Sequence, residues 1–337
     1  MKLMEISRGQ WIIIIILTLS FIATAGFIAF ALAAVLSFGP AYLYLKSIRN
    51  AEATDREPWS ALQTVFVWGA VSGVFYALIL NSLGGALVYV YSGNSENLSF
   101  ILTAIVVAPI VEEFVKPLVL FRNVSVKREI DEVEDGIVYG AACGLGFGAT
   151  ENILYGLSYG AVSGGFLGII IIVTLRTVSS ILLHLTASSF TGYGISQYLV
   201  KGAPFGVVVK YYILAVLIHA AWNAAAVLAS DFIIIFSILL AIGGLEFSKR
   251  RIRELDLEGS NILPQSLRSE GVQKDWWNES KSKWGEKTTN YDEKTARPIY
   301  ESETESPASG MFQDIDWRQA IGGGVFLLFL FSDFIFS

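Results

Sequence analysis

Residues 98–120, LSFILTAIVVAPIVEEFVKPLVL, decide the fold. The stretch is long enough to cross a bilayer as a helix, which takes about 20 predominantly apolar residues. It nevertheless carries Glu112, Glu113 and Lys116. An ionisable side chain at the bilayer centre costs at least about 2.5–3.5 kcal/mol, so such residues are rare and usually face the interior of a helix bundle. The stretch therefore predicts a membrane-spanning helix that contributes charged groups to a buried site.

Further apolar runs of similar length predict a protein that crosses the membrane several times. Spans are predicted near residues 12–36, 64–91, 98–120, 136–158, 165–190, 206–229 and 231–247. The run 320–336 contains Asp333 and is borderline in length, so an eighth span stays open. The predicted fold class is all-α, a polytopic transmembrane helical bundle of seven or eight spans with a disordered polar tail.

Composition supports this interpretation. Hydrophobic residues make up 53% of the 337 residues and charged residues 16%, against about 25% in soluble domains. Nearly half of the charged residues, 26 of them, fall between Lys249 and Arg318. This pattern excludes a soluble globular enzyme, a disordered protein and a coiled coil. The net charge of −6 argues against a nucleic-acid partner. The single cysteine, Cys143, excludes an internal disulfide framework and a cysteine-based zinc cluster.

The chain divides into four predicted regions. Residues 1–39 are predicted to be an N-terminal transmembrane helix, ended near Gly39-Pro40 because proline interrupts helices. Residues 40–247 form the transmembrane core, and residues 319–337 contain the borderline C-terminal segment. The mixed charges and low hydrophobicity of residues 248–318 predict a mainly disordered polar tail.

Lysine and arginine predict the orientation, because they concentrate in cytoplasmic loops. Positive residues occupy alternate loops, from Lys46 onward to the group that begins at Lys249. This alternation places the N-terminus outside and the polar tail in the cytoplasm, although Lys2 and Arg8 oppose it. We therefore expect an integral, multi-pass protein of the cell membrane.

Few ionisable residues interrupt the core spans, and both histidines of the chain are among them. The set consists of Glu112, Glu113, Lys116, Glu151, Arg176, His184 and His219. Asn152 follows Glu151 directly, and Asn223 lies one helical turn after His219 and so faces the same way. The insertion cost of several such groups predicts that they cluster and compensate one another.

Each feature also has a purely structural interpretation. Glu112 and Lys116 are four residues apart and could form a buried ion pair within one helix. Glu151 could be a protonated acid bonded to a neighbouring helix, and an isolated histidine is more often a hydrogen-bonded core residue than a ligand. The pattern Gly140-xxx-Gly144-xxx-Gly148 predicts close packing against another helix.

The residue types leave two hydrolytic mechanisms open. Carboxylate and neutral imidazole suit zinc, which in catalytic sites has three protein ligands and an open position. Alternatively, a buried glutamate beside a histidine deprotonates water directly, and Asn223 with a histidine stabilises the oxyanion. Both routes predict amide hydrolysis within the membrane. The alternative is a proton-coupled transporter or channel that uses the buried carboxylates and histidines as a relay.

Four motifs in order resemble the PrsW family of intramembrane proteases. They are Glu112-Glu113-x-x-Lys116, Phe147-x-x-x-Glu151-Asn152, an isolated His184 and His219-x-x-x-Asn223. The resemblance runs from about Pro40 to Ala229 and extends to the related CAAX prenyl proteases. It implies a helical bundle with a buried site that cleaves membrane-associated proteins or peptides in the lipid bilayer. The oligomeric state stays open.

The resemblance also implies roles for the individual residues. Glu112 would be the general base, and Glu113 would support it or pair with Lys116. Glu151 and His184 would complete a water or metal site, while His219 and Asn223 would stabilise the oxyanion or complete the metal site. The expected metal set is Glu151, His184 and His219, with zinc as the metal, or no metal at all. Lys116, Asn152 and Arg176 would be supporting residues.

Overall fold

The computed structural model describes residues 6–54, 56–227, 231–262, 291–292 and 297–298. The helices are α1 Arg8–Ala25, α2 Phe27–Arg49, α3 Trp59–Tyr91, α4 Glu96–Arg122, α5 Val124–Glu129, α6 Val133–Tyr155, α7 Ala161–Val178, α8 Ser180–Lys201, α9 Gly206–Val227 and α10 Asp231–Ile262. Three π-helical turns interrupt the regular geometry, at Trp68–Gly73 in α3, Thr103–Val107 in α4 and Gly156–Gly160 before α7.

The chain forms two compact units, Met1–Ser260 and Asn261–Ser337. The helices belong to the first unit, apart from the last two residues of α10. In the second unit, strands β1 Tyr291–Asp292 and β2 Arg297–Pro298 pair antiparallel.

Five helical segments among the described residues are long and apolar enough to cross a membrane. They are Phe27–Arg49, Trp59–Tyr91, Glu96–Arg122, Gly164–Lys201 and Gly206–Val227. These segments confirm the predicted all-α transmembrane fold class. The count of seven or eight spans stays a prediction, and the run 320–336 lies outside the described residues.

The predicted single N-terminal helix is wrong, because the structure divides this region into α1 and α2. The break lies at Gly26, whose φ of +82° is readily adopted by glycine. Pro40 does not end a helix and instead lies inside α2. In an apolar run without charges, the sequence does not distinguish a glycine that ends a helix from a glycine that packs against another helix.

A contact from another helix explains how α2 accommodates Pro40. Proline has no N–H, so the carbonyl four residues earlier, that of Leu36, loses its helical hydrogen bond. The Thr177 hydroxyl donates to this carbonyl at 3.2 Å. The same hydroxyl oxygen accepts a hydrogen bond from Asn152 at 3.2 Å. The proline therefore joins α2 to polar residues of α6 and α7.

Helix α6 lies at the centre of the first unit and is buried over most of its length. Its glycines allow other helices to approach their backbones. A Cβ on Gly140 would overlap the Ser188 carbonyl oxygen, and one on Gly144 would overlap that of His184. A Cβ on Gly148 would meet the His184 ring at 2.9 Å. The predicted small-residue packing face is confirmed, and it positions His184 on α8.

Helix α10 continues beyond the predicted start of the polar tail at residue 248. It runs to Ile262, and Asp256 on it binds the loop between α2 and α3. The Asp256 carboxylate accepts hydrogen bonds from the Ala53 amide at 2.8 Å and from the Thr54 hydroxyl. Residues 248–262 are therefore ordered helix. Most of the remainder of the predicted tail lies outside the described residues.

Candidate active site

Helix α4 contributes three adjacent ionisable side chains to the interior of the bundle. Glu112, Glu113 and Lys116 are 5%, 0% and 0% exposed. Regular helical geometry stops after Val115, because Pro117 cannot donate a helical hydrogen bond. The three side chains thus lie in the last turn before a helix interruption, surrounded by α8 and α9.

Glu113 holds three helices together. Its Oε1 lies 2.7 Å from Lys116 Nζ and 2.8 Å from His219 Nδ1 on α9. Its Oε2 accepts a hydrogen bond from the Ser188 hydroxyl on α8 at 3.2 Å. Both carboxylate oxygens of Glu113 are therefore occupied, and they hold the side chains of His219, Lys116 and Ser188 in place.

Glu151 is occupied in a similar way at the other end of the site. Its Oε2 lies 2.6 Å from Arg176 Nη2 and 2.9 Å from His184 Nε2. Asn152 Oδ1 accepts a hydrogen bond from Arg176 Nε at 3.0 Å, which holds the guanidinium in place. Lys116 Nζ lies 2.8 Å from His184 Nδ1. Because an ammonium only donates, His184 Nδ1 accepts and its Nε2–H donates to Glu151.

Glu112 differs from the other two carboxylates of the site. Its Oε1 accepts a hydrogen bond from Asn81 Nδ2 at 3.2 Å, but its Oε2 is buried and has no hydrogen-bond partner in the described part of the chain. This oxygen lies 3.8 Å from His219 Nε2 and 4.0 Å from Lys116 Nζ. Since His219 Nδ1–H donates to Glu113, its Nε2 presents a lone pair toward Glu112. The two acceptor atoms face one another across a gap too wide for a direct hydrogen bond.

The residues beside this gap also form a candidate metal-binding group. Glu112, His184 and His219 each offer one ligand atom, and these atoms lie within 4.8 Å of one another. One carboxylate and two imidazoles form a donor set that catalytic zinc accepts. The geometric set contains Glu112 where the sequence predicts Glu151, which instead binds Arg176 and His184. Both nitrogens of His184 are hydrogen-bonded, so binding a metal through His184 would displace Lys116 or Glu151.

The structure brings the predicted glutamates and histidines together but places the side-chain amide of Asn223 elsewhere. Asn223 donates its amide to the Ala104 carbonyl at 2.8 Å and so anchors α9 to the π-helical turn of α4. Within the described part of the chain, the Asn223 side chain forms no hydrogen bond with the glutamates or histidines of the cluster. Sequence reasoning did not identify Asn81 and Ser188, which contact Glu112 and Glu113. Asn81 did leave a signal, since it is a carboxamide inside the apolar run 64–91.

Comparison with known proteins identifies the family. The family model described as PrsW family intramembrane metalloprotease matches residues 57–243, more than half of the chain. Protease PrsW of Clostridioides difficile (strain 630) is 34% identical over 155 residues, which cover 46% of this chain and 61% of that protein. Protease PrsW of Geobacillus kaustophilus (strain HTA426) is 36% identical over 119 residues, covering 35% of this chain and 47% of that protein.

A third relative gives the same result. Protease PrsW of Bacillus subtilis (strain 168) is 32% identical over 124 residues, covering 35% of this chain and 49% of that protein. The chain thus spans only about half to three-fifths of the length of the curated relatives it matches. No solved structure matches the chain. The residues matched by the family model include every member of the buried cluster, and the chain is a multi-pass integral membrane protein that belongs to the PrsW family.

Proposed function

We propose that the protein is an intramembrane peptidase that hydrolyses peptide bonds of membrane-associated substrates. The observation that supports this most directly is Oε2 of Glu112, which has no hydrogen-bond partner among the described residues and lies 3.8 Å from His219 Nε2 in a buried cluster. Family membership agrees with this chemistry, since the family is described as intramembrane metalloproteases. The comparisons give no support to the transporter alternative.

The pairing of charges singles out Glu112 as the base. The site contains three carboxylates and two basic side chains, those of Lys116 and Arg176. Glu113 pairs with Lys116 at 2.7 Å, and Glu151 pairs with Arg176 at 2.6 Å. Glu112 is left with the longer 4.0 Å contact to Lys116 and with one oxygen that forms no hydrogen bond among the described residues. A carboxylate in this position can accept a proton, whereas its two neighbours hold other side chains in place.

The proposed mechanism uses a water bound between Glu112 and His219. Glu112 accepts a proton from this water while the water oxygen attacks the peptide carbonyl carbon. Glu112 then delivers the proton to the leaving nitrogen. Glu113 fixes the His219 ring, so that Nε2 keeps its orientation toward the water. Lys116 Nζ lies 4.0 Å from Glu112 Oε2, and in this scheme its positive charge would favour the negative charge that develops on the carbonyl oxygen.

The same buried side chains could also bind a metal ion in this mechanism. Glu112, His184 and His219 would hold it, and a zinc ion there would supply Lewis-acid polarisation of the carbonyl. The oxyanion role that the family resemblance implies for Asn223 stays a prediction. It would require the Asn223 amide to leave the Ala104 carbonyl. The suggested link to CAAX prenyl proteases also stays a prediction.

The location of the substrate follows from the same proposal. A site buried among membrane-spanning helices would receive a membrane protein or peptide from the bilayer. The alternation of lysine and arginine supports the cell membrane as the location, with the N-terminus outside.

The test is cleavage of a panel of tagged single-span membrane proteins by the purified protein in detergent. Glu112→Gln should abolish cleavage, because an amide cannot accept the proton. Glu96→Gln is the matched control, since this exposed glutamate lies at the start of the same helix. A zinc chelator separates the two chemistries: lost cleavage that zinc restores indicates the metal route, and unchanged cleavage indicates direct activation by Glu112. A Glu112→Gln variant as active as wild type would contradict the proposal.

A further inference from the structure

A second group of buried acids lies away from the active site, where the loop between α2 and α3 meets the start of α6. Glu52, Glu57 and Asp135 are 1%, 5% and 2% exposed. One oxygen from each lies within 4.8 Å of the others. The proposed peptidase chemistry does not account for three carboxylates buried side by side.

The nearby cations do not neutralise this group. Arg49 Nε donates to the backbone carbonyl of Glu57 at 2.6 Å, and Arg56 Nε donates to that of Glu52 at 2.9 Å. Within the described part of the chain, no lysine or arginine forms a salt bridge with the carboxylates of Glu52, Glu57 or Asp135. An uncompensated buried carboxylate is costly, so the group requires either protons or a bound cation.

Hydrogen bonds hold the three carboxylates in place, including one between the side chains of Glu57 and Asp135, and among the described residues they leave Oε1 of Glu52 unbonded. Asp135 Oδ2 accepts from the amides of Asp131 and Glu132 at 2.9 and 2.6 Å. Glu57 Oε2 accepts from the Tyr139 hydroxyl, and Glu52 Oε2 accepts from the Glu57 amide at 3.1 Å.

The unused oxygen is Oε1 of Glu52. It is buried and has no hydrogen-bond partner among the described residues. A buried carboxylate oxygen without a partner, in a group of prearranged acids, is what a cation ligand needs. This observation is independent of the clustering itself.

We propose that Glu52, Glu57 and Asp135 bind one hard divalent cation, Mg²⁺ or Ca²⁺. All three side chains offer oxygen, which these ions prefer, and none offers nitrogen or sulfur, which zinc and copper favour. The ion would join the α2–α3 loop to the first turn of α6. It would therefore brace the helix that carries Glu151 at its far end.

The test is calorimetric titration of the full chain in detergent, after removal of metals with EDTA, using Mg²⁺ and Ca²⁺ in separate arms. Wild type should bind a single equivalent of at least one of the two ions. Glu52→Gln should weaken this binding by about tenfold or more, in line with losses at metal sites. Glutamine has the shape of a protonated glutamic acid, so this variant should fold, which circular dichroism can verify. Asp135→Asn is the second variant and should behave in the same way.

Two controls separate this site from the active site. Glu96→Gln and Glu112→Gln should bind the ion as wild type does, whether or not the peptidase proposal holds. The inference would be overturned if wild type bound neither ion, or if Glu52→Gln and Asp135→Asn bound as tightly as wild type. It would also be overturned if Glu112→Gln alone lost binding, because the ion would then lie at the active site.

Discussion

Breaking the buried ion pair of Lys116 and Glu113 should strongly destabilise the protein, and Lys116→Met tests this. The two charged atoms are 2.7 Å apart, and neither side chain is exposed. At an effective dielectric constant of about 20, that distance corresponds to about 6 kcal/mol of attraction. Removing one partner of a buried pair costs about 3–5 kcal/mol, because the other charge stays buried and uncompensated. We expect a loss of that size in the free energy of unfolding of Lys116→Met.

The chain offers a closely matched control in Lys249 and Glu246. This pair has the same three-residue spacing and a 2.8 Å distance, but its side chains are 20% and 58% exposed. Surface pairs contribute about 0–1 kcal/mol, so Lys249→Met should have little effect. Unfolding in detergent, followed by tryptophan fluorescence, measures both variants.

A double variant isolates the charge effect from lost packing. Adding Glu113→Gln to Lys116→Met removes the orphaned carboxylate and should recover part of the lost stability. Equal, small effects of Lys116→Met and Lys249→Met would refute the reasoning. Further loss on adding Glu113→Gln would also refute it, because Glu113 would then not be the source of the cost.

Two further predictions follow from the packing and from the second ion pair. Gly144→Ala should destabilise the protein by about 1–3 kcal/mol, because the added Cβ would meet the His184 backbone. Gly39→Ala is the control, since a Cβ there has open space, and it should be neutral or stabilising. Thermal unfolding measures both variants. Equal effects of the two would show that α6 and α8 are not in close contact. Arg176→Gln should lower kcat/KM for peptide cleavage by about tenfold or more, because it releases Glu151, while Arg250→Gln at an exposed pair should not. An unchanged kcat/KM for Arg176→Gln would show that the ion pair of Glu151 and Arg176 is not needed for cleavage.

The sequence indicated the main partners of the site because burial of charge in a membrane is so costly. Glu112, Glu113, Lys116, Glu151 and His184 had to compensate one another wherever the helices placed them. The structure shows the particular pairs that form, and those depend on helix rotation, which spacing along a single helix does not determine.

Other features depend on tertiary contacts and left weak signals or none. Asn223 shares a helix face with His219, yet its amide binds Ala104, because the π-helical turn of α4 presents a carbonyl there. Gly26 resembles any glycine of an apolar run. The acids at Glu52 and Glu57 lie in a polar loop, where carboxylates are ordinary, and only the fold shows that they are buried.

The central claim is that Glu112 activates water to cut a peptide bond within the membrane, and mass spectrometry of the products in ¹⁸O-labelled water tests it most directly. A tagged single-span substrate that wild type cleaves should yield one fragment whose new C-terminal carboxylate contains a labelled oxygen. The cleavage position should fall in or beside its apolar segment. Glu112→Gln should give no such fragment, and Glu96→Gln should match wild type. Labelled product from Glu112→Gln at the wild-type rate would contradict the account.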